Sequence, residues 1–247
     1  MKTVILAAGY ATRLYPLTLD RPKCLLSVGG RTLLDALCGK LAAVPEMDEA
    51  VIVTNDKFFP QLEAWRLGFK SRVPLRIVND GTRSNETRLG AVGDLALAIR
   101  QAEISGDILM LASDNLFDEG FEGFIAFCKS KGGAVCIGLH DIGDPAKAAK
   151  KFGVIQTDAA GRVTGIEEKP ECPQSPLIGM GVYYFPKGTL AFVGEYLSSK
   201  SAQDAPGHYI RWLFGRTAIF GFLFGGMWYD IGDLKALEEA NRIFGKK

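Results

Sequence analysis

The stretch Val4-Ile5-Leu6-Ala7-Ala8-Gly9-Tyr10-Ala11-Thr12-Arg13-Leu14-Tyr15-Pro16-Leu17-Thr18, followed by Arg21-Pro22-Lys23, decides the fold. Val4-Ile5-Leu6 is an apolar run with β-branched members, and it breaks into small residues. This reads as a buried strand over 3–7 that ends in a loop. Small side chains let backbone N–H groups approach a phosphate closely, and Arg13 and Lys23 can neutralise its charge. The segment therefore predicts a polyphosphate cradle at the carboxyl end of a first strand. It is neither a G-x-x-x-x-G-K-[ST] loop nor a complete G-x-G-x-x-G.

Outward from this loop, strand-like and helix-like segments alternate. Strands are expected over 50–54, 75–78, 107–111 and 134–139, each a short apolar run. Helical patterns fall between them at 32–44, 58–67, 87–102 and 120–130. A βαβα order argues for a mainly parallel sheet covered on both faces. After about residue 150 the rhythm changes. Strands are expected over 152–157, 163–168, 179–185, 218–223 and 228–231, with helices over 188–199, 209–215 and 234–244. The expected organisation is a single domain over 1–247, with a first half over 1–150 and a second, substrate-facing lobe over 151–247.

The 247 residues are 47% hydrophobic and 23% charged, so a sizeable core is expected and global disorder is not. A formal net charge of +1 gives no case for a nucleic-acid or membrane partner. Any anion site must be a local cluster of cations. The five cysteines form no C-x-x-C pair, and two histidines are too few for a soft-metal site. They read as small thiols in a reducing compartment, hence a cytoplasmic protein. The N-terminal apolar run soon meets Arg13, too short for a membrane span.

The run L-A-A-G-Y-A-T-R-L-Y-P-L-T…R-P-K resembles the signature of the sugar-1-phosphate nucleotidylyltransferases, the NDP-sugar pyrophosphorylases. The resemblance extends over nearly the whole chain. It implies a three-layer α/β/α Rossmann-like nucleotidyltransferase fold with a mostly parallel mixed central sheet. It also implies a short form without a β-helix domain, similar to glucose-1-phosphate thymidylyl- and uridylyltransferases. The implied reaction joins an NTP to a sugar 1-phosphate, releasing pyrophosphate, in a Mg2+-dependent single displacement. An alternative is cytidylyl transfer to a non-sugar phosphate or phosphonate. Less favoured are a non-catalytic nucleotide-sensing subunit and a dinucleotide-dependent dehydrogenase, whose glycine pattern is incomplete here.

The resemblance assigns roles to residues. Arg13 and Lys23 would be catalytic, on the phosphates of the NTP. Leu6, Ala7, Ala8, Gly9 and Thr12 would line the nucleotide with Arg13. Asn79 and Gly90 are the nearest matches to base-reading positions, although Ser84 and Asn85 could equally be a plain helix cap. Asp114, ending Met110-Leu111-Ala112-Ser113-Asp114, would bind nucleotide and magnesium; taken alone it reads rather as a turn or cap aspartate. Asp230, in Trp228-Tyr229-Asp230-Ile231-Gly232-Asp233, would be the second metal ligand, whereas Asp233 is placed to cap the next helix. Gly153, Glu168, Lys169 and Gly179 would bind the sugar phosphate. Asp204 lies over the sugar or in a loop with no role there. Ala11 and Cys24 stand where relatives commonly have glycine and proline; Ala11 still allows close approach if its φ is negative. The partners are small molecules, with room for a homo-oligomer.

Overall fold

The computed structural model describes residues 1–199 and 204–244. β1 (Lys2–Leu6) lies between β4 (Glu49–Thr54) and β6 (Ile108–Ala112), parallel to both, and β5 (Leu75–Asn79) extends the sheet beyond β4. Next to β6 the direction reverses. β11 (Leu177–Phe185) pairs antiparallel with β6 and with β8 (Val135–Asp141), and β12 (Ile219–Leu223) runs parallel to β8. A branch of β9 (Gly153–Thr157) and β10 (Val163–Glu168) attaches to the start of β11. The central sheet is thus mixed, with a parallel nucleus, as the segment order predicts.

Side-chain alternation explains the layers. Val4, Val51, Val53 and Met110 point to one face; Ile5, Ile52, Leu109 and Leu111 point to the other. The first face is covered by α3 (Gly90–Gln101), α5 (Ala191–Leu197) and α6 (Pro206–Leu213) through Leu95, Ala98, Tyr196 and Tyr209. The second is covered by α1 (Leu33–Leu41), α2 (Phe59–Gly68) and α4 (Glu122–Ser130) through Leu34, Leu37, Leu62 and Phe124. α1 starts on a reciprocal cap between Thr32 and Asp35. Among the described residues, no helix is long and apolar enough to cross a membrane.

Two short ladders lie outside the sheet and matter most for the site. β7 (Asn115–Phe117) pairs antiparallel with β13 (Trp228–Asp230), placing Asp230 opposite Asn115. β2 (Ser27–Val28) pairs with β3 (Arg31–Thr32). The final helix, α7 (Leu234–Phe244), buries Leu237 and Ala240 against Leu14, Leu26, Val28, Leu116 and Ile231. This small core props the phosphate loop from below.

Two expectations need correction, and one condition is not met. The helix expected from residue 87 starts at Gly90, because Thr87 N and Oγ1 both donate to Ser84 O and close a separate turn. Ser84 and Asn85 are therefore not its cap; its N-cap is Leu89, without a side-chain bond. The helix expected over 188–199 is confined to Ala191–Leu197. Ala11 has φ 47°, not a negative φ.

Candidate active site

The phosphate loop is held by its backbone carbonyls. Ala7 N donates to Val53 O (2.8 Å), and the fully buried Asn55 donates its Nδ2 to Ala8 O (2.9 Å). Thr18 Oγ1 donates to Ala11 O (2.8 Å). Leu6 stays in the ladder between Val53 and Ala112. Gly9 faces open space, with no atom within 4 Å of a built Cβ. Thr12 and Arg13 sit on a 3-10 turn (Thr12–Leu14) with exposed side chains. The Arg13 guanidinium and the open space at Gly9 are thus presented from a fixed scaffold, as an anion cradle requires.

Lys23 heads a second 3-10 turn (Lys23–Leu25), and its Nζ donates to Asp114 Oδ2 at 2.7 Å. The Cys24 thiol beneath it is fully desolvated, which pushes its pKa up to about 12 and keeps it neutral. Asp114 Oδ1 accepts from Asn115 Nδ2 (3.3 Å), and Asn115 Oδ1 accepts from Trp228 Nε1 (2.9 Å). The β7–β13 ladder continues in Ile231 N donating to Asp114 O (3.0 Å), so the chain segments of Asp114 and Asp230 lie side by side. The Asp230 carboxyl is pushed up to about 6, chiefly by burial and then by the negative Asp114, while Lys23 and Arg13 oppose the shift. This is the signature of two acidic groups sharing a cation-lined pocket.

Both aspartates line a cleft of about 210 Å³ that also contains Gly153, Glu168, Lys169 and Gly179. Glu168 pairs with Gly153 across β10 and β9, and a Cβ at 153 would lie 2.9 Å from Glu168 Oε2. A Cβ at Gly207, in the first turn of α6, would overlap the same carboxylate. Glu168 thus occupies the space that two missing side chains leave. Lys169 follows in the left-handed region (φ 48°), its N–H donating to Phe152 O (3.2 Å). Asp233 Oδ1 accepts from Ala236 N (2.9 Å) and caps α7.

The nucleotidyl transferase family profile matches residues 2–247. This chain belongs to the nucleotidyl transferase family. A protein of Sulfolobus acidocaldarius named for mannose-1-phosphate guanyltransferase activity is 29% identical over 94% of this chain and 60% of its own length. The bifunctional protein GlmU of Methanococcus aeolicus is 29% identical over 98% of this chain and 54% of its own length. The chain therefore spans less than two thirds of these relatives. A solved structure from Bacillus anthracis, named as a glucose-1-phosphate thymidylyltransferase, matches with a TM-score of 0.83 at 21% identity. It covers 100% of this chain and 96% of that one, a likeness of fold.

Within this nucleotidyl transferase, Asn79 and Gly90 lie outside the lining of this cleft, as do all residues of the phosphate loop from Ala7 to Lys23. The Asn79 amide is committed locally, Nδ2 donating to Asp56 Oδ1 (2.9 Å) and Oδ1 accepting from Gly81 N (2.8 Å). Gly90 (φ +77°) borders a separate depression of about 420 Å³ beside Arg88 and Asp204. Sequence reasoning also passed over residues that the structure brings in. Asn55 and Asn115 act only through loop carbonyls and a neighbouring carboxylate, which no local pattern signals. Tyr183 and Lys151 line the cleft together with Glu168 and Lys169. The Tyr183 hydroxyl is held neutral by burial and by the charges of Glu168 and Asp114. Gly207 falls before the helix expected from residue 209, but α6 starts at Pro206 and takes Gly207 into its first turn.

Proposed function

We propose that the chain transfers a nucleotidyl group from an NTP to a sugar 1-phosphate, releasing pyrophosphate. The observation that carries this reading is one cleft in which the Asp114–Asp230 pair, gripped by Lys23, faces Glu168 and Lys169. A phosphate monoester is largely dianionic at neutral pH, with its second pKa near ~6, so it is already a nucleophile. The protein's task is to hold two polyanions together and spread charge off the α-phosphoryl group. Arg13, at the rim of the loop, holds the leaving pyrophosphate. Lys23 approaches the α-phosphate, exchanging its ion pair with Asp114 for the substrate. Glu168 accepts hydrogen bonds from sugar hydroxyls, and Lys169 holds the attacking phosphate.

The donor set fits magnesium. Asp114 and Asp230 are hard oxygen donors brought side by side, and the raised Asp230 pKa marks a pair that is costly to ionise without a cation. Bound there, magnesium would neutralise charge on the phosphates being transferred. We read 1–150 as the nucleotide half and 151–247 as the acceptor half of one cytoplasmic enzyme acting on small molecules.

The names of the relatives favour a sugar phosphate over a phosphonate or phospho-alcohol acceptor. A panel of five NTPs against several sugar 1-phosphates and phospho-alcohols, read by pyrophosphate release, tests this. Turnover confined to sugar 1-phosphates is expected. Release only with a phospho-alcohol, or with none of them, would overturn the assignment.

A further inference from the structure

Arg88 lies between β5 and α3, on the nucleotide side of the molecule, yet its guanidinium reaches a residue of the other half. Its Nε and Nη2 donate to Asp204 Oδ2 at 2.8 and 2.7 Å, and Nη1 donates to Asn85 O and Oδ1 at 3.0 and 2.8 Å. Asp204 is also held by its backbone: its carbonyl accepts from Ala91 N (3.2 Å) in the first turn of α3. Gly90 makes that approach feasible, since a Cβ there would lie 2.7 Å from Asp204 Oδ1 and 3.3 Å from its Cα. Side chain and main chain together therefore dock residue 204 onto the start of α3.

Three residues later, Gly207 lies against the Glu168 carboxylate. The connection between them is short and stiff. Three trans peptide links span at most ~11 Å, and Pro206 fixes its own φ and restricts Ala205 before it. The body of α6 is secured separately, by burial of Tyr209, Ile210 and Leu213 and by ring contacts of Tyr209 with Tyr196 and Phe185. What the Arg88–Asp204 grip adds is the placement of the first turn, where Glu168 is seated.

We propose that Arg88 is a positioning residue for the acceptor: its grip on Asp204 fixes the strap 204–207, whose far end seats Glu168. This rests on the reading of Glu168 as the acceptor's carboxylate. It makes a residue of the nucleotide half a determinant of acceptor affinity. The ion pair is 39% and 51% exposed, so its strength is that of a surface pair. The effect is accordingly modest, about fivefold in KM.

The test uses the full chain with the NTP and sugar 1-phosphate that turn over best in the panel. KM for each substrate, kcat and the melting temperature are measured for R88A, D204N, the double variant, the swapped R88D/D204R, and E168Q as reference. R88A and D204N are each expected to raise the acceptor KM about fivefold. The NTP KM should stay within about twofold, with kcat and melting nearly unchanged. The double variant should add little, and the swap should recover part of the loss. An unchanged acceptor KM, a rise confined to the NTP, or a parallel rise in both would overturn the proposal. If E168Q raises the acceptor KM and R88A does not, the strap alone is wrong. If E168Q is also silent, or the wild type turns over nothing, the reading of the acceptor site falls and the strap with it.

Discussion

The phosphate loop after β1 and the proposed acceptor wall around Glu168 meet through the Lys23–Asp114 ion pair, but they are assembled by different routes. The loop is one continuous run from Ala7 to Lys23, hung on the end of a central parallel strand and held where the Asn55 and Thr18 side chains donate to its Ala8 and Ala11 carbonyls. The acceptor wall is a mosaic: Gly153 from β9, Glu168 and Lys169 from the end of β10, Gly179 from β11 and Gly207 from α6. A cradle for phosphates needs backbone N–H groups in series, which consecutive residues supply. A pocket for a ring with hydroxyls on several sides needs groups from several directions, which only tertiary structure supplies. Tight charge recognition is thus concentrated in one loop, and shape recognition is spread over four elements.

That contrast can be broken most directly at the loop. R13A and K23A are each expected to lose on the order of 10²-fold or more in kcat, since each removes a charge contact to the transition state. Melting temperatures should change little. If both variants fold and retain near-full turnover, the loop is structural. Next come the carboxylates between the two regions. D114N and D230N should each lower the rate strongly and weaken its dependence on added magnesium, and the double variant should add little. Independent, multiplicative losses would show that the two do not act as one unit.

On the acceptor side a smaller and more selective effect is expected. G207A forces a methyl group into the space of the Glu168 carboxylate. It should mimic E168Q, raising the acceptor KM about tenfold and leaving the NTP KM nearly unchanged. An effect on the NTP instead would move Glu168 to the other substrate.

A still smaller effect separates stability from both regions. Asp94, in α3, is buried, and its Oδ1 has no hydrogen-bond partner among the described residues. Burial, with Asp80 and Asp204 nearby, pushes its carboxyl up to about 7. In an unfolded chain it would titrate near ~3.9. Between those values the folded protein keeps a proton that the unfolded chain has released, so stability falls as pH rises from ~4 to ~7 and stays lower above. D94N should therefore melt higher than wild type at pH 8 and equally at pH 4. The opposite pattern would show that the charge is compensated.

The same contrast explains what could be read from sequence. The βαβα order and the parallel nucleus followed from short apolar runs whose alternation fits a sheet covered on both faces. The strand end and the loop of small residues after it were legible because their pattern is contiguous. Asp114 and Asp230 were legible as chemistry, but their approach depends on β7, three residues long, whose pairing with β13 no local pattern announces. The Asn79 amide bonds to Asp56 across the fold and to Gly81 two residues on, and the first of these partners is set by tertiary structure that no local pattern announces. The turn at 84–87 hid the start of α3, because Thr87 bonds backwards to Ser84 and Gly90 then takes a positive φ.

Ala11 sits at φ 47° and ψ 44°, a left-handed conformation that costs a residue with a Cβ roughly 1–2 kcal/mol. Its surroundings impose that shape, since Thr18 anchors its carbonyl and Leu14 N donates to it. Position 11 is therefore a place where heat tolerance and rate pull in opposite directions. A11G should raise the melting temperature by relieving the strain. Glycine would also widen the conformations open to the loop before a nucleotide arrives, so the same protein should turn over more slowly at moderate temperature. The alanine keeps the cradle narrow at the expense of a margin of thermal resistance.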